Sequence, residues 1–156
     1  MPRRNCFVKI SGDLFLRDDV HEWISELAKE YFMVVCIGGG TQINQAFMRA
    51  GLPVGVHGPL GRETATLEER QLARNILEQN QARFQDVLAE KGIPASVVIP
   101  ELDVATVTCP VNGDQYTLTA YLGFDILYVA TTKDRLAAKQ EYFADYPKIK
   151  VRGFPP

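Results

Sequence analysis

The chain has 156 residues, enough for one domain with its own hydrophobic core and too few for two. Hydrophobic residues make up 46% of the sequence, which excludes a disordered chain. The 17 basic and 19 acidic residues nearly cancel, so no charge excess indicates binding to nucleic acid or to a membrane surface. We expect neither a signal peptide nor a transmembrane segment.

The cysteines and histidines bear on location and metal binding. Cys6, Cys36 and Cys109 lie in apolar, strand-like runs and lack the C-x-x-C spacing of a metal site. They are predicted to be free thiols in a reducing cytoplasm. His21 and His57 are far apart in sequence, so we expect no zinc site and predict a cytoplasmic protein without a resident metal ion.

The first half of the chain alternates apolar runs with amphipathic segments. The unbroken apolar run Met33–Ile37 favours a buried strand of a parallel sheet. The predicted elements are, in order, a strand over Cys6–Ser11, a helix over Arg17–Phe32, a strand over Met33–Ile37, a helix over Thr41–Ala50, a glycine- and proline-rich loop over Gly51–Arg62, and a long helix over Thr66–Lys91 that begins with a capping-box pattern.

The second half continues the alternation with shorter elements. In order, the sequence predicts strands over Ala95–Ile99 and Thr106–Cys109, a loop over Pro110–Gly113, a helix over Asp114–Leu122, a strand over Phe124–Ala130, a helix over Lys133–Tyr146, a strand over Lys148–Val151 and a frayed tail from Phe154 to Pro156. The whole pattern predicts one α/β domain over residues 1–156, a three-layer αβα sandwich with a mainly parallel sheet.

Two predicted strands end in residues that suit an anion, at the sheet edge where α/β proteins bind ligands. Gly38-Gly39-Gly40 follows Met33–Ile37 and precedes a helix, so its N–H groups and the helix N-terminus favour an anion. A plain strand-to-helix turn is the alternative. Lys9 lies near the end of the first strand, where burial requires an anionic partner unless this is an edge strand facing water.

Two further segments and a loop complete the predicted pocket. Asn112-Gly113-Asp114 precedes a helix and Thr131–Asp134 follows a buried strand, although either segment alone is also typical of an ordinary helix start. The loop over Gly51–Glu63 is expected to line the pocket. Within it, Arg62 suits bidentate recognition of a carboxylate or phosphate, and His57 suits acid–base chemistry; each is alternatively a solvated loop residue.

Four of these segments, in this order, resemble the amino acid kinase family, which includes uridylate, glutamate, aspartate, acetylglutamate and carbamate kinases. Lys9–Asp13 looks like the K-x-G-G-S opening of that family, and Val34–Gly40 is similar to its strand and glycine-rich loop. Asn112–Ala120 and the F-D-I-L run after it resemble the N-D helix and A-D-x-L strand. Ala130–Asp134 lies where the family has T-D-x-D-G or T-K-x-D-G.

The resemblance implies phosphoryl transfer from ATP, with Mg²⁺, to a small carboxylate or phosphate acceptor. It implies catalytic roles for Lys9, which would neutralise charge on the transferred group, and for Asp134, which would orient the lysine or lie near the nucleotide. The implied phosphate- and acceptor-binding residues are Gly12, Gly38, Gly39, Asn112 and Asp114, to which the arguments above add Gly40 and Arg62. The implied nucleotide-binding residues are Thr131, Thr132 and Lys133.

Several positions depart from the family pattern. Ser11 replaces the first glycine of the pair, Asp13 stands where a serine is usual, and Arg135 replaces a glycine. We find no counterpart of the family's adenine pocket or second lysine, and expect an abbreviated fold that lacks most of the nucleotide-binding lobe. Two alternatives therefore stand beside a kinase: a non-catalytic protein that binds an anion or small molecule, and a structural partner derived from that fold.

The predicted helix over Thr66–Lys91 is relevant to oligomerisation. It carries apolar residues on more than one face, including Leu72 and Ile76 besides Phe84 and Leu88. A helix covered by its own sheet on one side can bury its other face against a second copy, and the resemblance also implies a dimer near this helix. The alternative is a helix lying in a groove of its own domain. We expect a homo-oligomer, a dimer through this helix, that binds a small molecule.

Overall fold

A computed structural model describes residues 3–156 and shows the predicted alternation of strands and helices. Its first half contains, in order, β1 (Arg4–Ile10), α1 (Asp18–Glu30), β2 (Tyr31–Ile37), α2 (Gly40–Ala50), β3 (Val56–Gly58), β4 (Gly61–Glu63) and α3 (Leu67–Glu90). Its second half contains β5 (Ser96–Val98), β6 (Glu101–Val104), β7 (Val107–Pro110), α4 (Gly113–Ala120), β8 (Ile126–Thr132), α5 (Leu136–Tyr142) and β9 (Ile149–Phe154).

Five parallel strands form the central sheet in the order β5-β2-β1-β8-β9. The two faces of the sheet carry separate apolar clusters. On β1, Val8 and Ile10 belong to the cluster that packs with α1, α2 and α3, whereas Phe7 belongs to the cluster that packs with α4 and α5. The fold is therefore α/β, with helices against both faces of a parallel sheet, as the sequence predicts.

Two antiparallel hairpins lie outside the central sheet and differ from the prediction. β3 and β4 form largely within the predicted Gly51–Arg62 loop. The predicted strand over Thr106–Cys109 corresponds to β7, which pairs with β6, a strand that the sequence does not predict. Gly61 permits the first hairpin, because its φ of 145° disfavours any side chain and a Cβ there would lie 2.8 Å from the backbone nitrogen of Asn112. Such short strands carry too few residues for a hydrophobic period to predict them.

The C-terminal segments also differ from the prediction. The predicted helix over Lys133–Tyr146 begins with a 3₁₀ turn over Lys133–Arg135 and is α-helical only over Leu136–Tyr142. The prediction of a frayed tail is wrong for Phe154. Its ring is 3% exposed and packs edge-on against Trp23 at a centroid distance of 5.5 Å, so burial of the aromatic ring holds the last strand in the sheet.

The long helix α3 begins as predicted and packs on its own domain. A capping box joins Thr66 and Glu69, with each residue's backbone N–H donating to the side chain of the other. Leu72 and Ile76, which suggested a second apolar face, pack against the same cluster as Phe84. The groove in its own domain accounts for these side chains, so the dimer stays a prediction. None of the helices in residues 3–156 is long and apolar enough to cross a membrane.

The burial of Phe154 leads to a stability prediction. Phe154→Ala should lower the free energy of unfolding by about 3 kcal/mol, because it removes a buried aromatic ring. Phe32→Ala is the matched control: Phe32 is 58% exposed, and its loss should cost less than about 1 kcal/mol. Urea unfolding followed by circular dichroism measures both. Equal small losses would mean that the C-terminal strand frays after all.

Candidate functional site

A cavity of about 580 Å³ opens at the carboxyl ends of β1 and β2. The residues that follow these strands, Ser11–Asp13 and Gly38–Thr41, line it, together with parts of both hairpins, of α3 and of the segment Asn112–Asp114. The strand order reverses between β1 and β8, and the cavity borders this point through Asp114, which precedes β8, and Arg135, which follows it. Ligands bind at such points in α/β sheets, and the volume suits a small molecule.

Lys9 is buried at the end of the central strand and faces an acidic partner. Its side chain lines the cavity, the residue is 8% exposed, and its Nζ lies 3.4 Å from Oδ1 of Asp114. The other oxygen of Asp114, Oδ2, accepts a hydrogen bond from Nζ of Lys139 on α5. One buried carboxylate therefore faces two ammonium groups. This excludes the edge-strand alternative and confirms the prediction that Lys9 needs an anionic partner.

The pKa values of this cluster follow from burial and mutual charge. Burial lowers the pKa of Lys9 against the opposing effect of Asp114, and the charge of Lys139 lowers it further. Burial raises the pKa of Asp114, but Lys9 and Lys139 together outweigh it, so that pKa lies below its usual value. Cys36, the neighbour of Lys9 on β2, supplies no charge, because burial raises its thiol pKa to about 12. Asp114 thus remains the carboxylate shared by the two lysines.

The glycines bring the loops of the cavity into contact. A Cβ on Gly12 would lie 3.1 Å from Cα of Gly39 and 3.3 Å from the carbonyl oxygen of Gly38, so the loops after β1 and β2 touch through their backbones. A Cβ on Gly113 would lie 2.6 Å from Cε of Lys9, so the lysine side chain passes directly over this glycine. Around Gly40, by contrast, no atom of residues 3–156 lies within 4 Å of such a Cβ.

The cavity favours an anion. Five basic and two acidic side chains line it, although the chain as a whole carries a net charge of -2. The basic residues are Lys9, Arg62, Arg70, Arg135 and Lys139, and the acidic ones are Asp13 and Asp114. The N-terminus of α2 also begins in this lining, at Gly40, and no side chain caps it. Its free N–H groups and partial positive charge add to the basic excess.

Arg62 mainly holds the first hairpin in place. It donates hydrogen bonds to the carbonyl oxygen of Val54 and, over 2.6 Å, to Oδ1 of Asn44, and its guanidinium lies 5.4 Å from the ring centre of Phe47. Two of these contacts attach the hairpin to α2. Arg62 therefore lines the cavity as predicted, but its own hydrogen-bonding groups are largely engaged within the protein.

Asp13 and Arg135, two residues that depart from the kinase pattern, balance each other's charge. Arg135, which stands in place of a glycine, donates a hydrogen bond of 2.8 Å to Oδ2 of Asp13, which stands in place of a serine. The hydroxyl of Ser11 donates to the other oxygen of Asp13 over 2.6 Å. Burial raises the pKa of Asp13, but Ser11 and Arg135 outweigh it and hold the pKa below its usual value. The charge of Asp13 is thus balanced within the protein.

Asn112 acts as a helix cap within the cavity lining. Its Oδ1 accepts a hydrogen bond of 2.7 Å from the backbone N–H of Asp114, which lies in the first turn of α4. Its own N–H donates to the carbonyl oxygen of Leu60, at the tip of the first hairpin, over 2.8 Å. The segment Asn112–Asp114 therefore starts a helix and also lines the cavity, so it fits both interpretations of its sequence.

The predicted catalytic Asp134 and the predicted nucleotide residues do not line the cavity. Asp134 and Lys133 are exposed, whereas Thr131 and Thr132 are buried, and Oγ1 of Thr132 accepts a hydrogen bond from Nε of Arg135. Of the two roles expected for Asp134, orienting Lys9 is wrong, because Asp114 contacts the lysine instead. The cause is the 3₁₀ turn after β8, which directs Arg135 rather than Asp134 toward the cavity. A place near the nucleotide stays a prediction.

The sequence analysis missed three basic residues of the cavity, Arg70, Arg135 and Lys139, besides the apolar residues that line it. A spacing signal does connect them to the site. Arg135 and Lys139 are four residues apart across the start of α5, and Arg70 precedes the cavity-lining Ala73 by three on α3, so each pair lies on one helix face. No group of three or more His, Cys, Asp and Glu side chains within residues 3–156 is placed to hold a metal ion.

The shared carboxylate leads to a pH-dependent stability prediction. Asp114→Asn should lower the free energy of unfolding by about 3 kcal/mol near neutral pH, because it leaves Lys9 buried without a counter-charge. The folded-state pKa of Asp114 lies below its ordinary value of 3.8, so its stabilisation is complete above that value and is lost as the pH falls through the folded pKa. The difference from wild type should therefore shrink below about pH 4. Urea unfolding across this range measures it.

Asp134→Asn is the matched control for that measurement. Asp134 is exposed, and its neutralisation should change the free energy of unfolding by no more than about 0.5 kcal/mol at any of these pH values. A loss for Asp134→Asn as large as that for Asp114→Asn would contradict the assignment of the carboxylate.

The contact of Lys9 with Gly113 leads to a binding prediction. Gly113→Ala should displace the lysine ammonium both from Asp114 and from the cavity. It should therefore lower the melting temperature and weaken binding of orthophosphate to the folded protein about tenfold, since a charge-assisted hydrogen bond is lost. Gly40→Ala adds the same methyl group to the same cavity where space is open, and should bind phosphate like wild type. Isothermal titration distinguishes the two. Equal affinities in both variants would show that the position of Lys9 does not matter to the anion.

Comparison with known proteins assigns no family to this chain. No family model matches the sequence, and a search of curated proteins finds no match. The resemblance to amino acid kinases therefore rests on the sequence segments themselves, most of which line one cavity.

Proposed function

We propose that the cavity binds a small molecule carrying a carboxylate or phosphate, and that the chain catalyses phosphoryl transfer from ATP to that acceptor. The observation that carries the proposal is the position of Lys9. A lysine that is more than nine-tenths buried faces a cavity of ligand size, beside two glycine loops. Burial of its charge is costly, and Asp114, shared with Lys139, offsets the cost only in part. An anionic ligand would supply the remaining compensation.

Phosphoryl transfer suits these residues because it depends on positioning and charge stabilisation rather than on a covalent catalyst. Lys9 and Lys139 would neutralise charge on the phosphoryl group, and N–H groups of Gly12 and Gly39 would bind its oxygens. The N–H of Gly38 instead donates to the carbonyl oxygen of Ile10 over 2.9 Å. Asp114 is a positioning residue that holds both ammonium groups. ATP would supply the phosphoryl group, whose bond to the ADP oxygen breaks as a bond to an acceptor oxygen forms.

Mg²⁺ would have to arrive with the nucleotide. The acidic side chains of the cavity, Asp13 and Asp114, are each paired with basic groups. Neither is a free ligand for a cation, so phosphate oxygens and water would hold most of the coordination sphere of the ion. This is the usual way in which Mg²⁺ binds at sites that take up nucleotides.

A second candidate is a protein that binds the same anion without catalysis. It is favoured by the position of Asp134 and of Thr131–Lys133, all of which lie outside the cavity lining. The phosphate-donor half of the site thus lacks the residues that the kinase resemblance implies, whereas the acceptor half retains them. A purely structural partner of another protein would need neither the buried lysine nor the cavity.

We further propose a cytoplasmic location and a small-molecule partner. The free thiols of Cys6, Cys36 and Cys109 support a reducing compartment. The cavity supports the small molecule. A homodimer through α3 is retained as a proposal from the family resemblance alone.

Titration calorimetry tests the function. Wild type should bind orthophosphate, Mg-ATP and at least one acceptor from a panel of uridine monophosphate, glutamate, aspartate and carbamate. Lys9→Met should abolish phosphate binding, because the ammonium is removed without loss of the buried stem. Lys133→Met removes an exposed lysine just outside the cavity and should leave binding unchanged. A ligand at about 100 times its Kd should also stabilise wild type by about 2.7 kcal/mol.

The outcomes separate the two candidates. Mg-ATP binding with release of ADP in the presence of an acceptor supports the kinase. Binding of an anion without any binding of Mg-ATP supports the non-catalytic protein. If folded wild type binds none of these ligands, or if Lys9→Met binds phosphate as well as wild type does, both candidates are wrong.

A further inference from the structure

One wall of the cavity is apolar and begins at the glycine loop itself. A Cβ on Gly39 would lie 3.1 Å from Cδ2 of Leu77 and 3.8 Å from Cδ1 of Ile43. Both side chains are buried, and both line the cavity beside Ala73. The nearest atom to such a Cβ is Nδ2 of Asn80, at 2.9 Å, but Asn80 does not line the cavity, so a ligand bound at the glycine loop has hydrocarbon beside it on this wall.

The charges of the cavity disfavour a second, positive group on the ligand. Asp13 is bound by Ser11 and Arg135, and Asp114 faces two lysines, although its Oδ1 accepts no hydrogen bond within residues 3–156. An ammonium group next to the ligand's anionic group would be desolvated against Leu77, and the carboxylates that it could approach are already balanced by basic groups. It would also lie among the basic side chains of the cavity, so its burial would be costly.

The second hairpin extends the apolar wall to the rim. Val107 lines the cavity although it is 61% exposed, so a ligand seated there would cover hydrocarbon that water now contacts. Its cross-strand partner Val104 is 64% exposed and does not line the cavity. Val104 and Val107 thus share residue type, hairpin and similar exposure, but Val107 lines the cavity and Val104 does not.

We propose that the ligand of this site carries its phosphate or carboxylate on a short hydrocarbon body without a positive charge, and that Val107 helps to select it. The inference rests on the proposed function, which places the anionic group at Lys9 and the glycine loops. It narrows the acceptor class from small anions in general to aliphatic phosphates or carboxylates, and it disfavours amino acids.

Calorimetry with a series of monoalkyl phosphates tests the inference. From orthophosphate through ethyl, propyl and butyl phosphate, Kd should fall by about fourfold for each methylene that the wall covers fully. O-Phosphoethanolamine has the shape of propyl phosphate with an ammonium in place of the terminal methyl. It should bind about tenfold more weakly than propyl phosphate.

Two matched variants test whether Val107 is part of the apolar wall that the ligand contacts. Val107→Ser should weaken butyl phosphate binding about fourfold and leave orthophosphate binding unchanged, because only apolar contact is lost. Val104→Ser should bind both ligands like wild type. Since both valines are exposed, neither change threatens folding. A Val104→Ser variant that loses as much affinity as Val107→Ser would overturn the role of Val107.

The failures of the two proposals are distinguishable. If orthophosphate binds and affinity does not rise along the alkyl series, or if O-phosphoethanolamine binds as well as propyl phosphate, the hydrocarbon inference is wrong while the anion site stands. If no member of the series binds to folded protein, the proposed function is wrong and this inference falls with it.

Discussion

The site depends on neutralising one ammonium group inside the sheet. β1 is the central strand, and Lys9 near its end would be strongly destabilising without a counter-charge. That requirement places Asp114 in the first turn of α4, where the helix dipole also favours a carboxylate, and it requires Gly113 to leave room for the lysine stem. Lys139 then attaches α5 to the same carboxylate. Three elements far apart in sequence thus converge on one charge.

The balance of charges around the cavity explains substitutions that look unfavourable one at a time. An aspartate beside a phosphate site would repel the ligand if it stood alone. With Arg135 bound to Asp13, the pair is neutral and joins the turn after β1 to the turn after β8. The basic side chains that remain leave the cavity positive, although the chain as a whole is slightly acidic. The electrostatics of the site therefore follow from which charges are paired rather than from composition.

The sequence predicted the features that leave a continuous signal. Buried strands such as β2 are unbroken apolar runs, and the order of strands and helices followed from them. The place of Lys9 and of the glycines followed because parallel strands end at one edge. The contact of Lys139 with Asp114 could not be predicted, since it depends on how α5 packs. The mistaken role of Asp134 has the same origin: a single 3₁₀ turn decides which of two adjacent residues points inward.

The pairing of β1 with β8 has a consequence for how the site is assembled during synthesis. β1 is synthesised before β8, its partner on one side, because it lies far ahead of β8 in the sequence. Until β8 is made, one edge of β1 has unpaired N–H and C=O groups, and Lys139, which follows β8 in the sequence, has not yet joined Lys9 and Asp114. The ligand site is consequently complete only after β8 and α5 have been synthesised, and a fragment that stops before β8 does not contain it.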